Sequence, residues 1–150
     1  MAIDAGDLSR FSQGLLGPDA TEVELRAASS RAYYAAYHGL LWLADLLPPS
    51  EQCDERSRHI GHRELGRRIS EWKTESLNPR LGGLKVVKKD VCIALEASRV
   101  FRETCDYRLD RQITFTQARA QVERARRILR HVEQFRAAVV AETELRVGWV

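Results

Sequence analysis

The sequence predicts an all-α fold: an antiparallel bundle of about five helices in a single domain spanning residues 1–150. Three observations carry this. Apolar residues recur at steps of three and four, which puts them on one side of a helix. The few prolines and the paired glycines fall between those patterns rather than inside them. No segment alternates apolar and polar residues between turn signals as a strand would.

The elements follow in order. A short first helix is expected near 5–15, closed by Gly14 and Gly17 before Pro18. A long second helix runs over 20–46, opened by Thr21-x-x-Glu24, a capping-box pattern that satisfies amides the helix cannot bond internally. Its stripe is Leu25, Ala28, Ala32, Ala36, Leu40, Leu43 and Leu47, and Pro48-Pro49 ends it. A third, very polar helix is expected over 57–73 and a fourth over 83–106. The fifth, over 115–144, opens with Thr114-x-x-Gln117 and carries Phe115, Ala118, Val122, Ala125, Leu129, Val132 and Val139 on one stripe.

Composition excludes several classes. With 44% hydrophobic and 30% charged residues the chain is too apolar for a disordered tail. Apolar runs such as Leu40–Ala44 and Ala137–Ala141 fall far short of the ~20 residues of a membrane span. No basic region precedes an apolar run near Met1, so no signal peptide is expected. Cys53, Cys92 and Cys105 form no C-x-x-C and suggest neither a disulfide framework nor a zinc knuckle. These readings together predict a cytoplasmic protein that needs no cofactor and stays off membranes. Charge is unevenly spread: residues 119–136 hold six arginines against two glutamates, while residues 1–30 are acidic. Arginine is the better phosphate fork, so the distribution is compatible with RNA.

Chemistry concentrates in the second helix. Arg31 and His38 are seven residues apart, so they share a face roughly 10 Å apart along the axis. Tyr34 sits between them and Ser30 lies beside Arg31. Such a stripe suits metal-independent cleavage of RNA. A guanidinium grips phosphate oxygens and stabilises the charge of the transition state. An imidazole exchanges protons with the ribose 2′-OH or the departing 5′ oxygen. One histidine does not comfortably do both, and a two-fold dimer would supply a second. The small residues Ala28, Ala32, Ala35, Ala36 and Gly39 would let another helix approach closely. The expectation is therefore a homodimer through helix 20–46, which Ala35→Glu should break.

Arg31-x6-His38 resembles the R-x4-6-H motif of HEPN domains, all-helical and usually dimeric proteins. Ser30 to His38 is similar to the S-R-x-Y-Y-A-x-[FY]-H helix of one small bacterial branch. Arg102 to Tyr107 is similar to the R-x-x-[AC]-D-Y closing a later helix of that branch. The likeness extends over about residues 20–140. It implies an endoribonuclease of toxin–antitoxin or phage-defence type, with Arg31, His38 and Tyr34 catalytic. Ser30, Arg126 and Arg130 would contact RNA. It also implies that His62 can approach the site from the third helix. In many HEPN nucleases a polar residue follows the arginine, and here Ala32 does. That difference supports the alternative: a catalytically silent partner of a nucleotidyltransferase, with Tyr34 or Tyr37 as the residue modified.

Two further readings concern ion pairs and metals. Arg102/Asp106 is an i, i+4 pair read as helix support, though Asp106 could instead pair with a buried Arg31. His59-x-x-His62 has a spacing found in metal sites, but it lacks further ligands, and no metal is assigned.

Overall fold

The computed structural model describes residues 2–44, 61–71 and 83–147. Five α-helices lie within them: α1 (Ala5–Gly14), α2 (Glu22–Ala44), α3 (His62–Glu71), α4 (Lys85–Tyr107) and α5 (Phe115–Val147). The described residues contain no strand, so the fold is an all-α bundle. Leu47, His59, Pro48-Pro49 and the outer ends of the expected third helix lie outside the described residues.

Both capping boxes read from the sequence form. Thr21 N donates to Glu24 Oε2 at 2.7 Å and Glu24 N to Thr21 Oγ1 at 3.3 Å. Thr114 N donates to Gln117 Oε1 at 3.0 Å and Gln117 N to Thr114 Oγ1 at 3.2 Å. A third box, between Asp4 and Asp7, opens α1. Each box satisfies amides at a helix start that have no intrahelical acceptor.

α2 is the central element and packs against all four other helices. The predicted stripe from Leu25 to Leu43 is buried, and so are Ser29, Tyr33, Ala35 and Gly39. The buried face is wide because neighbours press on it from several sides. Its partner of greatest contact is α5, and the two run parallel: Ser29 meets Gln121, Gly39 meets Leu129, and Trp42 meets Arg136. α4 runs antiparallel to both, so two reversals bring α2 and α5 together in the same direction. The expected antiparallel order thus holds between chain neighbours α1/α2 and α4/α5, but not for this central pair.

The small residues of α2 are consumed inside the chain. Ala28, Ala32, Ala35 and Ala36 are fully buried. A Cβ placed on Gly39 would lie 2.5 Å from Leu129 Cδ2, so α5 approaches through the space glycine leaves. This corrects the expectation that a second copy uses that face. On α5 the stripe shifts: Ile128, Phe135 and Gln121 are fully buried, while Phe115 is exposed. Gln121 satisfies its burial by donating to Ser98 Oγ at 2.8 Å and Ser98 O at 3.0 Å, where α2, α4 and α5 meet. No helix among the described residues is long and apolar enough to cross a membrane.

Candidate functional site

The face of α2 left uncovered carries the stripe expected to do chemistry. Arg31 and His38 are exposed and Tyr34 is half-buried. Arg31 makes no ion pair with Asp106. Asp106 Oδ2 instead lies 3.6 Å from Arg102 Nη1 and accepts a 3.4 Å hydrogen bond from Ser30 Oγ. Among the described residues no acceptor is bonded to the Arg31 guanidinium, and Ser30 is tied to the end of α4.

Beneath Tyr34 lies a cluster of rings and cations. Arg102 is buried, with its guanidinium 5.2 Å from the Tyr33 ring centre and 5.9 Å from that of Tyr34. Its Nε is buried without an acceptor among the described residues. The ring faces supply part of what water would otherwise give this cation.

His62, at the start of α3, completes the cluster. Its Nδ1 is 2.7 Å from Tyr33 Oη, and its ring sits 4.5 Å from Tyr37 and 6.0 Å from Tyr34, centre to centre. Burial first, then the charges of Arg102 and Arg99, hold its pKa below the ordinary 6.5. His62 is thus a neutral imidazole at neutral pH. Desolvation pushes the Tyr33 phenol above its ordinary value, so it stays protonated and can either donate to Nδ1 or accept from it. His38 is among the influences that lower His62, which places two imidazoles within electrostatic reach in one chain. That second histidine was expected from a partner copy.

Other groups fall elsewhere. His38 packs edge-on to Tyr37, ring centres 5.3 Å apart, and also lines a cavity of about 630 Å³ between α1, α2 and α5. Trp42 lies in the same cavity, covered by Arg136 at 4.6 Å. It is partly buried against this chain's own core. Arg126 pairs with Glu123 at 3.0 Å, and Arg130 is exposed on α5. No bond among the described residues joins either one to the α2 stripe.

One important residue was not legible as such. Arg26 donates to the carbonyls of Cys105 (2.8 Å), Arg108 (3.4 Å) and Arg111, holding the end of α4 and the turn after it. The only sequence signal was Glu22 four residues earlier, to which it is paired at 2.8 Å. No family model, curated protein or solved structure matches this chain.

Proposed function

We propose that this chain is a HEPN-like, metal-independent endoribonuclease whose site is the open α2 stripe completed by His62. The observation that carries the reading is a solvent-facing Arg31, free of the Asp106 pair, on the same stripe as His38 and above a neutral second imidazole. Arg31 would hold the scissile phosphate, and Tyr34 would pack against the adjoining ribose or base. His62 would take the proton of the ribose 2′-OH while the 2′ oxygen bonds to phosphorus. Protonated His38 would give a proton to the 5′ oxygen as the P–O5′ bond breaks. The products are a 2′,3′-cyclic phosphate and a 5′-hydroxyl.

The test is cleavage of mixed RNA in EDTA by the wild type and by Arg31→Ala, His38→Ala and His62→Gln. Each substitution is expected to cost at least about 100-fold, the usual size of an acid–base contribution. An inactive wild type, or undiminished cutting by His38→Ala, rejects the reading. Full activity of His62→Gln alone would return the second histidine to a partner copy. That copy would have to pair through the open face of α2 that carries Arg31, Tyr34, His38 and Leu41.

One observation favours the silent alternative. Ala32 is fully buried in the core, so nothing polar at that position orients Arg31. On this reading the chain binds a nucleotidyltransferase, which adenylylates Tyr34 or Tyr37. Co-purification of the two proteins with a mass shift on either tyrosine, and no RNA cleavage, would support it.

A further inference from the structure

Two arginines of α4 are buried, and they are treated differently. Arg99 bonds to Glu96 at 2.7 Å and to Glu103, so its charge is met within its own helix. Arg102 is not met in this way. Its Nε is enclosed without an acceptor among the described residues, and its Nη1 has only the Asp106 carboxylate, at 3.6 Å, beyond hydrogen-bond reach. A buried cation left so costs stability, and the Tyr33 and Tyr34 rings at 5.2 and 5.9 Å offset only part of that. Support of α4 does not account for a pair this long. The place where it sits does. Asp106 Oδ2 also accepts from Ser30 Oγ at 3.4 Å, and Asp106 is exposed. A guanidinium from α4 and a hydroxyl from α2 therefore converge on one loosely held, anionic oxygen at the surface, next in the chain to Arg31 and beside Tyr34. The carbonyls that end α4 would oppose an anion there, but Arg26 covers those of Cys105 and Arg108.

We propose that Arg102 and Ser30 form a second phosphate site, for the RNA backbone phosphate adjoining the one on Arg31, and that the Asp106 carboxylate stands in for that phosphate in the free chain. The inference rests on the RNA reading above and gives Arg102 a binding role in place of helix support. A phosphate oxygen takes the position of Oδ2 and accepts from Arg102 Nη1 and Ser30 Oγ in short, charge-assisted bonds, while Asp106 swings into water. The fold thus holds a cation that is satisfied only when RNA is bound. That arrangement has a signature that a structural arginine lacks. Replacing Arg102 by an apolar side chain of similar length removes a poorly met buried charge, so stability is kept while affinity is lost.

The probe is a fluorescent 2′-O-methyl oligouridine, which presents the same phosphates as RNA but cannot be cut through its 2′ oxygen. Anisotropy across a salt series, with melting curves of the same samples, reads both halves of the signature. Arg102→Met should melt no lower than the wild type, bind about tenfold or more weakly, and show a salt dependence shallower by about one phosphate contact. Asp106→Asn removes the occupant's charge and should tighten binding severalfold. Arg102→Met that binds as the wild type does, or that melts lower while its folded fraction binds fully, would overturn the proposal. So would Asp106→Asn with unchanged or weaker binding, or a wild type that does not bind the probe. If Arg102→Met does not fold, Asp106→Asn decides alone. Binding that depends on Arg102 in a protein that cuts no RNA would support this site while rejecting the nuclease reading; cutting and binding both indifferent to Arg102→Met would do the reverse.

Discussion

Tyr33→Phe isolates the bond between the core and the candidate site. Tyr33 is fully buried, and its hydroxyl has His62 Nδ1 at 2.7 Å. Phenylalanine keeps the ring contacts with Tyr34, Tyr37 and Arg102 and removes only the oxygen. A neutral hydrogen bond contributes about 1 kcal/mol net, and leaving a half-buried imidazole nitrogen unpaired adds to that cost. The expected loss is about 1–2 kcal/mol, roughly 3–6 °C in melting temperature for a chain of this size. Urea unfolding at pH 7 measures it, and a double-mutant cycle with His62→Ala assigns it. In the His62→Ala background the Tyr33→Phe cost should shrink, because its partner is already gone. Equal costs in both backgrounds, or a cost indistinguishable from zero, would refute the inference that this bond anchors α3 to α2.

Three other outcomes are expected. Ala35→Glu puts a carboxylate into a fully buried site and should cost more than about 4 kcal/mol, seen as loss of the cooperative circular-dichroism transition; a folded monomer would mean that Ala35 faces a partner instead. Arg26→Met removes the charge-assisted bonds at the end of α4 and should cost about 1–3 kcal/mol, with faster amide exchange at Ile113 and Arg108. Because His62 titrates lower in the folded chain than its ordinary 6.5, the unfolded chain binds its proton first as pH falls. Its stability contribution is therefore complete above 6.5 and lost as pH drops from 6.5 through the folded value. Urea midpoints should decline over that window in the wild type and stay flat in His62→Asn. The lowered carboxylates Glu22, Glu24 and Glu96 act only below about their ordinary 4.5.

Helix positions were legible because capping boxes and three–four spacing are local. Thr21/Glu24 and Thr114/Gln117 mark the starts of α2 and α5 within a residue or two. Direction and partner choice are not local. The small residues of α2 read as a surface for close helix approach, and they are one, but this chain's own bundle covers it, with Leu129 of α5 filling the space at Gly39. Nothing in the spacing distinguishes the two. The Arg31, Tyr34 and His38 stripe was likewise readable from seven-residue geometry. The approach of His62 was implied by the resemblance alone and not by spacing, because it depends on α3 crossing α2 and α4 with Leu65 and Ile69 buried beneath it. The exposure of Val86, Ile93 and Val100 on α4 was hidden in the sequence for the opposite reason. Val86, Ile93 and Val100 look like core residues until the buried face of that helix is known.

The nature of the RNA ends is the most direct test of the account. A defined oligoribonucleotide incubated with the protein in EDTA should yield fragments ending in 2′,3′-cyclic phosphate and beginning with 5′-hydroxyl, the products of 2′-OH attack under acid–base catalysis. The same cut should vanish when the 2′-OH at the scissile position is replaced by hydrogen. Fragments with 3′-hydroxyl and 5′-phosphate ends, or cutting that persists at the 2′-deoxy position, would contradict the assignment of Arg31, His38 and His62 to this chemistry.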